Sequence, residues 1–275
     1  MVQNFHMPPT GFGPGSQPED DTLDVMPMPQ DMRTYSPHIP DTAEEIDTET
    51  MQLLAHVADA ARVCAAAGTT HLFDLKDLGP KARALVAEVL GEGEVSIRMR
   101  GIPAIAAQES VFAGVWTLKG EGVDQIEVAP VPTLAMERAF APVRAAQGKS
   151  APGIPGMASA PALIVELLDK SATFEPGQDP HVINLTLLPH SEPDLVWLDS
   201  ALGEGSVTVL SRGYGNCRIT ATATHGIWRV QFFNSMDTLI LDTFEVTSMP
   251  EVAIAADEDL LDSASRIEAV LEAMS

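Results

Sequence analysis

Few residues of this 275-residue chain are of a type and spacing that could do chemistry. There are two cysteines, Cys64 and Cys217, too few for a disulfide scaffold or a four-thiolate metal site within one chain. They form no Cys-X-X-Cys pair and fit a reducing compartment. The seven histidines (His6, His38, His56, His71, His181, His190, His225) make no His-X-His or His-Glu-X-X-His pattern. The sequence therefore calls for no metal and no other cofactor. Neither Gly-X-Ser-X-Gly nor Ser-X-X-Lys occurs, and no catalytic residues are assigned. Two triplets, Gly91-Glu92-Gly93 and Gly203-Glu204-Gly205, invite comparison with phosphate loops. A phosphate loop runs from strand into helix, whereas these follow a helical pattern and enter a strand, and a glutamate between the glycines would repel phosphate. They read as helix C-caps followed by a turn. A non-enzyme is expected.

The most distinctive string is Ser211-Arg212-Gly213-Tyr214-Gly215-Asn216-Cys217. Structurally it reads as a hairpin turn with Gly213 or Gly215 at positive φ. Functionally it reads as a recognition edge, with Tyr214 an exposed anchor beside Arg212. Cys217 stands where a related segment has Ile105, so core packing is its expected role, as it is for Cys64 on an apolar helix face.

That related segment belongs to an internal repeat. A shift of 112 residues aligns Leu90-Gly91-Glu92-Gly93 with Leu202-Gly203-Glu204-Gly205. It also aligns Val95 with Val207, Arg100-Gly101 with Arg212-Gly213, Gly114 with Gly226, and Trp116 with Trp228. Nine of the 27 positions from 90 to 116 are identical, where chance gives about one or two. With six residues added to the second copy, Asp124, Glu127-Val128 and Pro132 match Asp242, Glu245-Val246 and Pro250. The added length falls near Phe233–Asp237. Loops that depart from a shared template are where a duplicated module acquires a new task. The predicted partner-binding residues are therefore Arg212, Tyr214, Asn216, Asn234, Met236 and Asp237.

Each copy reads as helix, short strand, helix and then several strands joined by turns. That predicts an α+β fold of two tandem pseudo-repeat modules, each with helices packed on an antiparallel sheet. The predicted boundaries are a disordered acidic, Pro-rich tail over 1–46, module one over 47–138, a Pro/Gly linker over 139–160, and module two with a C-terminal amphipathic helix over 161–275. The first 40 residues hold eight prolines and one basic residue, Arg33, a composition that resists ordering.

Sixteen Lys and Arg against 39 Asp and Glu give a net charge of −23. Such a chain has no reason to seek nucleic acid or an anionic membrane surface, and basic polypeptide is its natural partner. Aromatics are only 5%, so the core must be aliphatic. No stretch approaches a membrane span and the N-terminus lacks a secretory pattern, so a cytoplasmic protein without membrane insertion is expected.

Three strings resemble one known family. They are Gln108-Glu109-Ser110-Val111-Phe112-Ala113-Gly114-Val115-Trp116, Ser211 to Ile219, and Trp228-Arg229-Val230-Gln231-Phe232-Phe233-Asn234. The family is the hydrogenase expression/formation protein HupH, also called HyaF or HoxQ. The resemblance spans about residues 48–274. It implies an accessory protein for maturation of a membrane-bound, uptake-type [NiFe] hydrogenase. The implied partners are the precursor of the iron–sulfur small subunit, held before export, and a thioredoxin-like accessory protein. The precursor's twin-arginine signal peptide is basic and apolar, which the −23 charge would complement. The resemblance supplies no catalytic residues. Two alternatives stand beside it: a redox or cluster-handling protein using Cys217, and a small-molecule enzyme with a site between the repeats.

Overall fold

The computed structural model describes residues 48–212 and 216–275. The predicted tail over 1–46 and Tyr214 lie outside them. In chain order come helix α1 (Thr48–Ala67), strand β1 (His71–Asp74), helix α2 (Pro80–Leu90), strands β2 (Val95–Met99), β3 (Ile105–Glu109), β4 (Val115–Gly120) and β5 (Val123–Val128), and short helix α3 (Thr133–Arg138). The order then recurs with helix α4 (Ala160–Thr173), strand β6 (His181–Asn184), helix α5 (Glu192–Leu202), and strands β7 (Val207–Ser211), β8 (Asn216–Ala221), β9 (Ile227–Phe233) and β10 (Leu239–Val246). Helix α6 (Asp257–Met274) follows. This is the expected α+β fold.

The five strands of each half do not form separate sheets. They merge into one antiparallel sheet of ten, in the order β1-β5-β4-β3-β2-β7-β8-β9-β10-β6. An isolated half would leave β2 or β7 as an edge with unpaired N–H and C=O groups, and pairing the two removes both edges. The seam is self-consistent with the repeat. Val95 faces Ser211, Ile97 faces Val209 and Met99 faces Val207. Moving each residue to its counterpart 112 positions away regenerates the same pairs, so Ile97 and Val209 mark a pseudo-twofold axis. The hairpins agree: β2 pairs with β3 through Met99 and Ile105, and β7 with β8 through Ser211 and Cys217. The six added residues are absorbed between β9 and β10, whose pairing carries a register shift between Leu239 and Leu241.

Shared residues do shared work. Gly91 and Gly203 end α2 and α5 at φ +55° and +68°, with amides donating to Ala87 and Asp199 carbonyls. The partner glycines sit at close approaches. A Cβ on Gly93 would lie 2.1 Å from the Ser110 carbonyl, and one on Gly205 would lie 2.3 Å from that of Ala139. Trp116 and Trp228 are both fully buried, and their indole N–H groups donate to Ala129 and Thr247 carbonyls at 3.0 and 3.2 Å. A buried indole needs such a partner.

One sheet face is dry across its centre. Ile97, Met99, Val207, Val209 and the two tryptophans pack there under Ala135 and Ala139 and under Met249 and Ala253. Among the described residues, the opposite face is covered only at its flanks. Helices α1, α2 and α6 lie over the first half's strands β4 and β5, burying Leu54, Val57, Ile126 and Val128. Helices α4 and α5 lie over the second half's, burying Leu167, Trp197, Phe244 and Val246. Helix α6 follows the second half in sequence yet packs on the first. Leu260, Ala264 and Ile267 join the α1 cluster, Arg62 pairs with Glu268, and the Ser263 hydroxyl donates to Ala113 O. The segment over 139–160 is fastened to the second half. Val143 and Arg144 amides donate to Glu204 O, and the buried Ala151 accepts from the Trp197 indole at 3.1 Å.

Candidate partner-binding surface

The β7–β8 and β9–β10 turns lie at the same end of the sheet, because β8 runs antiparallel between β7 and β9 and Asn216 faces Phe233. Between them is an open groove of about 550 Å³ lined by Leu210, Ser211, Arg212, Asn216, Cys217, Arg218, Phe233 and Asp237. Three of the predicted residues, Arg212, Asn216 and Asp237, are thus brought to one groove.

The repeat provides an internal control for Arg212. Its counterpart Arg100 is committed to the framework, with its guanidinium 2.6 Å from Glu204 and donating to Gly205 O at 2.9 Å. The two backbones match, since the Arg100 amide donates to Ser206 O and the Arg212 amide to Glu94 O, again 112 residues apart. The Arg212 side chain is exposed and forms no ion pair among the described residues. Nearby, the Arg218 guanidinium stands 5.6 Å from the Phe233 ring centre, a cation–π arrangement.

The β9–β10 turn divides its residues by role. Asn234 holds the turn: its side-chain oxygen accepts from the Met236 and Thr238 amides at 2.9 and 3.0 Å. Asp237 takes a left-handed backbone, φ +56°. Met236 is 79% exposed. Beyond it β10 outruns its outer neighbour, because β6 pairs only with Thr243–Val246. Leu239 and Ile240 are consequently exposed on a strand edge. The turn Leu185–Leu187 packs beside β10, the Thr186 hydroxyl accepting the Asp242 amide at 2.8 Å, and it exposes Leu187. Met236, Leu187, Leu239 and Ile240 make an exposed apolar strip, and such strips mark binding surfaces.

Sequence reasoning named Met236 of this strip and missed Leu187, Leu239 and Ile240, as well as Arg218 and Phe233. One signal was available. Leu239-Ile240-Leu241 is a continuous apolar run in the part of the second copy that carries the added length, where an exposed hairpin should alternate or be polar. Arg218 and Phe233 carried no local signal.

The thiols are poorly suited to redox chemistry. Cys217 is buried and free, and burial first, with the Glu245 charge adding, pushes it up to about 12. Cys64 is likewise free and raised, by burial and Asp257. Neither supplies a thiolate near neutral pH. Two buried carboxylates went unremarked in sequence. Glu109, where the second copy has Ala221, is pushed up to about 7 by burial above all, with Glu94 and Asp259 adding and the Gly114 amide opposing at 3.1 Å. Asp194 behaves oppositely. Burial disfavours its charge, but amides of Ser191, Ala160 and Ala158 donate to it and hold it well below the usual carboxylate range. It ties the N-terminal ends of α4 and α5 together, completing a capping box with Ser191.

Among the described residues, no group of three or more His, Cys, Asp or Glu is arranged to hold a metal ion, and no helix is long and apolar enough to cross a membrane. What the groove and strip can do chemically is hold polypeptide: apolar contact along the strip, hydrogen bonds and charge at Arg212, Asn216 and Asp237.

Several known proteins are similar to this chain. The family model described as HupH hydrogenase expression protein, C-terminal conserved region, matches residues 48–140 and 157–274. The hydrogenase expression/formation protein HupH of Rhodobacter capsulatus is 59% identical over the full length of both chains. HoxQ of Cupriavidus necator is 43% identical over 98% of each, and the hydrogenase-1 operon protein HyaF of Escherichia coli is 30% identical over 98% of this chain and 95% of its own. A solved structure, the hydrogenase expression protein HupH from Thiobacillus denitrificans, is 26% identical and covers 43% of this chain and 98% of its own, with a TM-score of 0.38.

Proposed function

Because this chain belongs to the HupH family of hydrogenase expression proteins and so serves hydrogenase maturation, we propose that it is a cytoplasmic chaperone rather than a catalyst. Its client is the precursor of the iron–sulfur small subunit of a membrane-bound [NiFe] hydrogenase, held before export in company with a thioredoxin-like accessory protein. The hairpin end of the second half is the holding surface. The observation that carries this reading is the exposed apolar strip of Met236, Leu239, Ile240 and Leu187 beside the Arg212–Asp237 groove, on a chain of net charge −23. A basic, apolar signal peptide is complementary to an apolar strip set in an acidic protein. Burial of both thiols speaks against a redox mechanism through Cys217.

The test is capture of purified small-subunit precursor, with and without its signal peptide, by immobilised protein. Leu239→Asp with Ile240→Asp should weaken capture of the intact precursor about tenfold or more while leaving the melting temperature unchanged. Equal capture by wild type and this variant would remove the strip from the interface. Failure of wild type to capture either form would remove the client.

A further inference from the structure

We infer that the uncovered centre of the sheet is a second docking surface, for an acidic segment of a partner protein. On the face opposite the tryptophans, Lys119, Ala106, Arg98, Thr208, Thr220 and Arg229 lie opposite one another across strands β4, β3, β2, β7, β8 and β9. Arg218 lies on the same face, two residues further along β8. The helices of the two halves cover the flanks of this face and leave its middle open. Arg98, Lys119 and Arg218 are exposed, and among the described residues none forms an ion pair. Their neighbours Ala106 and Thr208 are small, so the cations stand above the floor.

The sign of the charge carries the argument. The whole chain has 39 acidic residues against 16 basic, yet cations dominate this stretch. The carboxylates on it are already engaged: Asp242 is buried and held by Arg229 through bonds of 2.9 and 2.6 Å, and Asp124, the β5 neighbour of Lys119, pairs with Arg83. At the rim, Asp199 is engaged by Arg144, and Glu92 stands past the end of α2. Three cations without a carboxylate partner on one face repel one another, a cost that a partner's carboxylates would convert into attraction. At about 4.8 Å per strand, Lys119 and Arg98 are about 10 Å apart and Arg98 and Arg218 about 12 Å. A segment carrying carboxylates at about that interval would meet all three. Arg98 and Lys119 lie away from the hairpin groove, whereas Arg218 lines both, so loss of peptide binding in Arg98→Gln with Lys119→Gln alone separates this proposal from the first.

The probe is a fluorescein-labelled 15-residue peptide of alternating Glu and Ala, titrated with the full chain at low salt and followed by anisotropy. Arg98→Gln, Lys119→Gln and Arg218→Gln together should weaken binding at least about tenfold. A control of equal charge change, Lys76→Gln with Lys149→Gln and Lys170→Gln, should change it less than about threefold. Absence of wild-type binding, or equal loss in both variants, would overturn the inference. Equal or tighter binding of a fifteen-nucleotide oligo-dT strand would overturn the acidic-peptide assignment in favour of nucleic acid. If sedimentation shows that the floor variant instead abolishes self-association, the face is an interface between copies of this chain and the inference fails.

Discussion

Replacing Glu109 by glutamine should stabilise the protein, and only above mildly acidic pH. Glu109 is 8% exposed at the end of β3, with the Gly114 amide donating to its carboxylate and no cation paired with it among the described residues. Burial is the main cause that pushes it up from an ordinary 4.5 to about 7, and Glu94 and Asp259 add repulsion. A folded-state value above the unfolded one means the carboxyl is easier to protonate when folded. Its favourable contribution is complete below about pH 4.5 and is lost as pH rises toward 7. The full loss is about 3 kcal/mol, at 1.36 kcal/mol per unit. Glutamine keeps an oxygen for Gly114 and carries no charge. Urea unfolding followed by tryptophan fluorescence at pH 5, 6, 7 and 8 should show a difference between variant and wild type that grows with pH and levels off above 7. Most of the ~3 kcal/mol should be gained by pH 8. A difference independent of pH, or a variant less stable at pH 8 than wild type, would refute the claim that Glu109 is an unpaired buried acid.

Asp194→Ala should destabilise by about 3–5 kcal/mol at neutral pH, because the amides of Ala158, Ser159, Ala160 and Ser191 lose their acceptor in a buried joint. Its folded value is lowered, so in wild type this contribution should persist through mildly acidic pH and fade only under strongly acidic conditions, as chemical denaturation across pH would show. Trp116→Ala and Trp228→Ala should each cost about 3–5 kcal/mol in thermal or urea unfolding, and a much smaller effect for either would mean the two copies do not share a framework. Cys217→Ala should cost about 1 kcal/mol and leave hydrogenase maturation intact in cells; lost maturation in a stable, normally expressed variant would restore the redox reading.

Local rules explain what was legible in advance. Gly91 and Gly203 mark helix ends by their own backbone freedom, and the framework residues around them recur at a fixed spacing, so the repeat and its element order could be read from residues alone. The strings around Trp116, Arg212 and Trp228 carried the family for the same reason. Tertiary structure decided the rest, because strand pairing and burial depend on residues far apart in the chain. No local pattern says that β2 pairs with β7 rather than remaining an edge, since the pairing satisfies backbone groups that every strand has. Helix α6 has an apolar face that would fit either half, and only the packed structure sets it against α1. Glu109 reads in sequence as one acid among 39, and it becomes a near-neutral titrating group only because the fold buries it beside Glu94 and Asp259. Arg98, Lys119 and Arg218 are scattered through the sequence as isolated cations. They become a single surface because the merged sheet lines up strands from both halves.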